Sequence, residues 1–83
     1  MINVLFVCHG NICRSPMAEY IMKDKIKKRA LLIRFFISSK ATSREEIGND
    51  IYPPAKNVLR ENHIPFDRHY ASQITKDDYD YYD

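Results

Sequence analysis

The sequence predicts an α/β fold, a parallel βαβ sheet with helices on its faces, in a three-layer arrangement that is incomplete in this chain. Two observations carry the prediction. A mainly apolar run at residues 2–7, with Asn3 as its one polar residue, is typical of a strand buried on both faces of a parallel sheet, and helical periodicity follows this run and a second one at 33–38. The order strand, helix, strand, helix predicts a right-handed crossover, with ligands beyond the carboxyl ends of the strands.

The composition suits one small globular domain. The chain has 83 residues, of which 45% are apolar and 29% charged, without a repeat or low-complexity tract. A chain of this length removes only about 60–65% of its unfolded surface on folding, so a partner would help it to stand alone. We therefore expect residues 1–83 to form one domain at most.

Charge, cysteine content and the N-terminal run limit the compartment and the partners. Two cysteines are too few for a secreted disulfide scaffold and lack metal-site companions, and the run at 2–7 is too short for a signal peptide or a membrane span. The net charge is +2, and the basic run 23–29 has no interleaved aromatic residues, which favours a solvated helix face. These features predict a cytoplasmic protein that binds no membrane and no nucleic acid and needs no metal or other cofactor.

The first helix should follow the loop after the first strand. Pro16 suits the first turn of a helix, where its missing N–H costs nothing. Apolar residues then recur at helical spacing through about residue 29. The face that they would pack on the sheet consists of Ala18, Ile21, Met22 and Ile26.

The second half of the βαβ unit is predicted in the same way. Residues 33–38 form the second predicted strand, and 39–52 a polar loop. The proline pair at 53–54 opens a second helix, which should end at 62–63. Its apolar positions lie at i, i+3 and i+4 and are Ala55, Val58 and Leu59.

The segment "CHGNICRSP", residues 8–16, joins the first strand to the first helix. Backbone N–H groups of such a loop point inward and the helix dipole adds positive potential, so its concavity suits a tetrahedral oxyanion. Gly10 leaves the concavity open, Asn11 tolerates left-handed backbone, and Arg14 offers a planar fork for two phosphate oxygens. In this setting Cys8 should ionise more readily than a free thiol. Its thiolate would attack phosphorus, and water would hydrolyse the resulting phosphocysteine.

This segment, placed between a strand and an amphipathic helix, resembles the signature Cys-x-Gly-Asn-x-Cys-Arg-Ser-Pro of the low-molecular-weight protein tyrosine phosphatases. "ISSKATSREEIGN" at 37–49 is similar to the family's second strand and the loop after it, and "HYASQITKDDYDYYD" at 69–83 to the stretch that leads into its third strand. The resemblance implies a flavodoxin-like (phosphotyrosine phosphatase I-like) sheet, of which residues 1–83 are a partial domain.

The same resemblance implies roles for the site residues. Cys8 would be the nucleophile, and Arg14 would bind the transition state. The residues that would hold phosphate are His9, Gly10, Asn11, Ile12, Cys13 and Arg14, and those that would support the loop are Asn11, Ser15, Ser39 and His69. Cys13 fills the loop and, as a second thiol, is also a candidate disulfide partner that protects Cys8 from over-oxidation.

Several positions depart from the family's pattern. Glu45 stands where members often place an aromatic residue beside the phosphotyrosine ring, which makes it the candidate specificity residue. Lys40 replaces a common alanine, and Ser72 replaces a frequent arginine. His63 replaces the glycine that ends the second helix, so we expect Asn62 to adopt the left-handed conformation there.

The family's general acid has no counterpart in the sequence. This acid is an aspartate on a later loop, typically in an Asp-Pro pair, and the chain contains no such pair. The aspartates of the last segment are expected to form a solvated acidic tail, and they are Asp77, Asp78, Asp80 and Asp83. The chain is therefore either a fragment of a longer product or a truncated protein with an impaired mechanism.

Three functions remain open from the sequence. The first is a phosphatase that acts on phosphotyrosine proteins or small aryl phosphates. The second is a thiol-dependent arsenate reductase, which resembles these phosphatases but needs further cysteines downstream. The third is a catalytically impaired fragment that binds phosphate. Because the family covers the free edge of the first strand with further strands, we also expect the isolated chain to self-associate, as a two-fold dimer through that edge or by exchange of C-terminal segments.

Overall fold

The computed structural model describes residues 1–31 and 34–83 and confirms the α/β class. Within these residues two parallel strands, β1 (Ile2–Cys8) and β2 (Phe35–Ala41), form the sheet. The helices are α1 (Arg14–Lys28), α2 (Pro53–Glu61) and α3 (Lys76–Tyr81). None of the described helices has the length and apolar character needed to cross a membrane.

The first helix agrees with the prediction, whereas the bounds of the second strand differ. Helix α1 begins at Arg14, so Pro16 lies in its first turn as predicted, and the N–H of Met17 donates to the carbonyl of Cys13 at 3.1 Å. Ile33, the predicted start of the second strand, lies outside the described residues. The predicted end was wrong, because the ladder with β1 continues to the pair Cys8–Ala41.

Different parts of the chain cover the two faces of the sheet. Side chains alternate along a strand, and the odd-numbered residues of β2 from 37 onward are buried towards α1. On this face the Ser39 hydroxyl donates to Glu19 of α1 at 2.5 Å. On the opposite face Lys40 lies 3.5 Å from Asp78 of α3. Phe36 packs there against the rings of Tyr81 and Tyr82. The sheet is therefore covered by a long helix on one side and by a short C-terminal segment on the other.

An apolar cluster joins α1 and α2. Its buried members are Ile51, Ala55 and Leu59, and the partly buried residues packed on them are Cys13, Met17, Tyr20, Ile21, Ile64 and Phe66. Val58, which was predicted on the apolar face of α2, is 43% exposed. The cluster places the base of α2 against the start of α1, where the loop after β1 ends.

Helix α2 ends where predicted, but a different residue adopts the left-handed conformation. His63 has φ 56°, whereas Asn62 has φ −97°, so the assignment of that role to Asn62 was wrong. The N–H of Ile64 donates to the carbonyl of Leu59, and that of His63 to the carbonyl of Arg60. These are the two hydrogen bonds of a Schellman motif, which requires positive φ one residue after the C-cap.

The prediction of a solvated acidic tail was wrong for Asp78. Its carboxylate accepts hydrogen bonds from the N–H and the hydroxyl of Thr75, at 2.7 and 3.0 Å, and faces Lys40. Asp77 and Asp80 are exposed, as expected. A capping arrangement at Thr75 thus begins α3 in a segment whose sequence resembled the approach to a strand.

The last residue pairs with the free edge of β1. The N–H of Asp83 donates to the carbonyl of Asn3 at 2.8 Å, and the N–H of Asn3 donates to the Asp83 carboxylate at 2.6 Å. Asp83 is exposed, as predicted, but it is hydrogen-bonded to β1. Because alternate residues of a parallel strand direct their backbone groups to the same side, those of Leu5 and Val7 face this edge too. Within the described residues they have no partner there.

Candidate active site

The loop after β1 encloses a cavity of about 240 Å³ at the carboxyl end of the strand, where a parallel sheet is expected to bind its ligand. The residues that line the cavity are Cys8, His9, Gly10, Ile12, Cys13, Arg14, Glu45 and Glu46. Asn11, which was also predicted to hold phosphate, lies behind the wall and is fully buried. The structure thus brings the predicted loop together around one concavity.

The sulfur of Cys8 lies at the centre of a short hydrogen-bonded chain. It accepts from the N–H of Asn11 at 3.3 Å and lies 3.0 Å from the hydroxyl oxygen of Ser15. The Asn11 side-chain amide donates to that hydroxyl oxygen at 2.7 Å. When Cys8 is ionised its sulfur can only accept, so the Ser15 hydroxyl then donates its hydrogen to the sulfur. Ser15 therefore supports a thiolate at Cys8.

The charge state of Cys8 follows from these contacts. Burial raises the pKa of the thiol, but hydrogen bonds from the Ser15 hydroxyl and from the backbone N–H groups of Ser15, Asn11 and Gly10 bring the pKa below its ordinary value. The sequence argument had also credited the Arg14 guanidinium with this effect. In the structure the lowering comes from the hydrogen bonds, because they contact the sulfur directly.

Asn11 holds the loop in its shape through both of its amide groups. Its φ of 58° confirms the left-handed conformation that was predicted. Its side-chain oxygen accepts from His69 Nε2 at 3.1 Å and from the N–H of Ser72 at 3.2 Å, and its carbonyl accepts from His69 Nε2 at 2.8 Å. Both partners of Nε2 are acceptors, so this nitrogen carries the hydrogen. His69 thus contacts the loop directly, as the resemblance implied.

Asp50 is a supporting residue that the sequence analysis missed. One carboxylate oxygen accepts from the N–H of His69 at 2.9 Å, and the other lies 2.5 Å from Lys56 and 3.4 Å from Arg68. Burial raises the pKa of Asp50, but hydrogen bonds from Lys56 and from the N–H groups of His69 and Ile51 hold it well below its usual range. No local pattern marks this residue, because its partners are spread over 19 positions of the chain.

The structure does not bring Ser39 to the loop, which corrects its predicted supporting role. Its side chain lies on the face of β2 that packs on α1, and its hydroxyl donates to Glu19. Glu19 is buried and also pairs with Lys23. Ser39 and Glu19 therefore join the sheet to the helix rather than shaping the cavity.

The mouth of the cavity carries charged side chains. Glu45 lies 3.0 Å from His9 Nε2, across the rim, and the Ser43 hydroxyl donates to the His9 carbonyl at 2.9 Å. Arg14 is exposed and forms no ion pair with any residue that the structure describes. Both cysteines are free thiols, and Cys13 also packs on the cluster around Leu59. The guanidinium of Arg14 is thus available to an anion in the cavity.

A family model described as "Low molecular weight phosphotyrosine protein phosphatase" matches residues 3–83. This chain belongs to the low-molecular-weight protein tyrosine phosphatase family. It is 42% identical over 83 residues to the low molecular weight protein-tyrosine-phosphatase YfkJ of Bacillus subtilis, covering 100% of this chain and 53% of that protein. To the human low molecular weight phosphotyrosine protein phosphatase it is 40% identical over 81 residues, covering 98% of this chain and 51% of the relative.

Solved structures of the family superpose on the whole chain. The crystal structure of YfkJ gives a TM-score of 0.96 and covers 100% of this chain and 52% of its own. The crystal structure of the Streptococcus pyogenes phosphatase gives 0.89 at 40% identity, covering 100% of this chain and 53% of its own. The fold class expected from the sequence is therefore confirmed. The chain spans about half the length of the curated relatives that it matches.

Proposed function

We propose that the protein hydrolyses phosphotyrosine in proteins, or small aryl phosphates, through a phosphocysteine intermediate. The observation that carries this proposal is the sulfur of Cys8, which contacts Asn11 and Ser15 and lines the cavity of the loop. The pKa of this thiol is below its ordinary value. A thiolate at this position is poised to attack a phosphorus atom that the loop holds. The cysteine content also supports a reducing, cytoplasmic location, because two cysteines are too few for a secreted disulfide scaffold.

The chemistry follows in two displacements. The Cys8 sulfur forms a bond to phosphorus while the ester P–O bond breaks and the leaving oxygen takes a proton. Water then attacks the phosphocysteine, which releases inorganic phosphate and restores the thiolate. Loop N–H groups and the Arg14 guanidinium hold the phosphoryl oxygens in both steps, because the charge on them persists throughout. Asn11, Ser15 and His69 keep those donors in place.

The proton for the leaving group has no evident source among the described residues. The carboxylates that line the cavity are Glu45 and Glu46, and Glu45 is paired with His9. Asp78 and Asp83 are bonded to Thr75 and Asn3 at the sheet. We therefore infer that these residues build the nucleophilic half of the mechanism.

The test compares two variants of the loop. Cys8→Ser should abolish release of phosphate from nitrophenyl phosphate while vanadate still binds, because the donors of the loop remain. Arg14→Ala should lose both, because the guanidinium holds the anion. Isothermal titration with vanadate and a phosphate-release assay measure the two properties, and thermal unfolding shows that each variant is folded. Turnover by Cys8→Ser would exclude the phosphocysteine.

Two other functions are distinguished by the same assays. A fragment that only binds phosphate would bind vanadate without turnover in the unchanged chain. An arsenate reductase would need further cysteines, and the chain has only Cys8 and Cys13. The match to phosphatases over nearly the whole chain favours the phosphatase function over these two alternatives.

A further inference from the structure

Two carboxylates stand at the mouth of a cavity built to hold an anion. Glu45 is 71% exposed in its side chain, and Glu46 is half-buried beside the loop. The Cγ of Glu46 lies 3.3 Å from the position that a Cβ on Gly10 would occupy, so this side chain is packed directly on the loop. Its carboxylate accepts from the Asn49 side-chain amide at 2.6 Å. Both negative charges therefore lie next to the cavity that would receive phosphate.

Hydrogen bonds position both carboxylates at the rim. The N–H and the hydroxyl of Ser43 both bond to the His9 carbonyl, at 3.1 and 2.9 Å, and the N–H of Glu45 donates to the Ser43 hydroxyl at 3.4 Å. The His9 ring then meets the Glu45 carboxylate. Charges that are held before a ligand arrives contribute more to its recognition, because less ordering is needed on binding.

The net charge of the rim stays negative in either state of His9. A neutral His9 leaves two negative charges, and a protonated His9 leaves one, because it balances Glu45 alone. The neighbouring cation Arg44 is directed to the side chain of Gln73, at 3.1 Å, and does not line the cavity. Arg14 lies within the cavity, where a phosphate group would engage it. A rim of this charge attracts a positive charge that a substrate carries next to its phosphate, while the loop N–H groups and Arg14 hold the phosphate itself.

We propose that Glu45 and Glu46 make the site selective for phosphotyrosine peptides that carry lysine or arginine next to the phosphorylated residue. The inference rests on the proposed function and adds the substrate class to it. Bound phosphate would lie on the loop, and the flanking cation would meet the carboxylates at the rim. Glutamate beside the phosphotyrosine would be disfavoured, because it would bring a third negative charge to the same place.

The experiment measures binding, so it does not depend on turnover. Three fluorescent peptides carry a non-hydrolysable difluorophosphonate analogue of phosphotyrosine and differ only in its neighbours, which are lysine, glutamine or glutamate. Their dissociation constants for the 83-residue chain are measured by fluorescence anisotropy at low and at high salt. The variants are Glu45→Gln, Glu46→Gln and the double substitution. Glu61→Gln, at an exposed glutamate at the end of α2, is the matched control.

We expect the lysine peptide to bind best and the glutamate peptide worst, with steps of about 1.5- to fivefold for each carboxylate that a flanking charge meets. High salt should compress these differences, because the rim is exposed to solvent. The double variant should bring the three dissociation constants within about twofold of one another. The small difference that remains would come from weak interactions with other exposed charges. Glu61→Gln should leave the order unchanged.

Two results would overturn the proposal and are distinguishable from failure of the proposed function. Equal affinities for the three peptides, with all of them displaced by inorganic phosphate, would refute the charge selection and leave the phosphatase site standing. An order that persists in the double variant would place the selection on other residues and refute it as well. Absence of binding by every peptide and by vanadate would refute the proposed function, and this inference with it.

Discussion

The loop at Cys8–Arg14 and the C-terminal segment 76–83 are both held by polar contacts to distant parts of the chain, but they differ in burial. In the loop network Asn11 is 0% and His69 8% exposed. Helix α3 has no buried residue, and Tyr79 is 76% exposed. A buried polar group that loses its partner costs far more than an exposed one, because water cannot replace the partner. The loop is therefore held by buried contacts, whereas the contacts of the tail are exposed and water can replace them.

The loop network is continuous from the surface to the sulfur. Asp50 holds the backbone of His69, His69 holds Asn11, and Asn11 holds Ser15 beside Cys8. No buried side-chain nitrogen or oxygen among the described residues lacks a partner. The segment 76–83 is instead attached at a few points, chiefly the pairs Lys40–Asp78 and Asn3–Asp83. The hydrogen-bonded network of the loop is thus complete within the described residues, while the sheet has an unpaired edge.

The largest expected effect tests whether any carboxylate of the tail can serve the loop. A tyrosyl leaving group has a pKa near 10 and needs a proton, and losing a positioned acid costs about 10²–10⁴ in rate. We expect the 83-residue chain to hydrolyse nitrophenyl phosphate faster than phosphotyrosine peptides by a ratio of this order, because the nitrophenolate needs no proton. Steady-state kcat/KM values for the two substrates give the ratio. Equal values would mean that a carboxylate within the chain donates the proton.

The next effect concerns the centre of the loop network. Asn11→Asp keeps the size of the side chain and its tolerance of positive φ but removes the donor to Ser15. We expect the free energy of unfolding to fall by about 1–3 kcal/mol, since a buried hydrogen bond is lost and a charge is buried. The pKa of Cys8 should rise towards its ordinary value. Urea unfolding and the pH dependence of iodoacetamide alkylation measure the two changes, and alkylation identical to that of the unchanged chain would contradict the network.

The loop could be predicted from sequence because its determinants are local. The segment from Cys8 to Pro16 contains the nucleophile, the left-handed residue, the arginine and the helix start. His69 was found through the resemblance alone, since nothing nearby in sequence shows that its ring reaches Asn11. Ser39 was misplaced for the opposite reason. Side chains alternate along β2, so that of Ser39 faces α1 and contacts Glu19. The burial of this glutamate could not be predicted, because the surrounding helix surface is polar.

The start of α3 was not predicted although a signal was present. Thr75 and Asp78 are three residues apart, which is the spacing of a capping box and marks the start of a helix. The segment was interpreted only by its resemblance to the stretch that leads into the family's third strand, and its aspartates only as a solvated tail. At the end of α2, positive φ at His63 was assigned to its neighbour because Asn is the commoner residue in that conformation.

A smaller effect is expected at the cap of α3. The N–H of Thr75 and the nearby Lys40 hold the pKa of Asp78 below its usual range. Such a carboxylate stabilises the fold above its unfolded pKa of about 4 and loses that effect as pH falls through the lower folded pKa. Asp78→Asn should therefore cost about 0.5–2 kcal/mol at neutral pH and little at strongly acidic pH.

Thermal unfolding of the two proteins across this pH range measures the difference. Cys8 alkylation serves as the control, because Asp78 lies outside the loop network and its substitution should leave the thiol unchanged. A loss of stability that stays constant down to the lowest pH would show that the carboxylate charge is not what holds α3. A change in alkylation would show that the tail and the loop are coupled.

The smallest effect on stability is expected at the open edge of β1, where we propose that two copies of the chain pair. Val7 and Val58 are both 43% exposed, but Val7 lies on the unpaired edge and Val58 on α2, which makes them a matched pair for substitution. A lysine on an edge strand opposes pairing with another strand, because its charge would be buried between the two. Val7→Lys and Val58→Lys should each change the free energy of unfolding by no more than about 0.5 kcal/mol, as exposed substitutions do.

Light scattering at micromolar concentration should then find the unchanged chain and Val58→Lys associated and Val7→Lys monomeric. A monomeric unchanged chain with a cooperative thermal transition would mean that the single pair between Asp83 and Asn3 is enough to protect the edge.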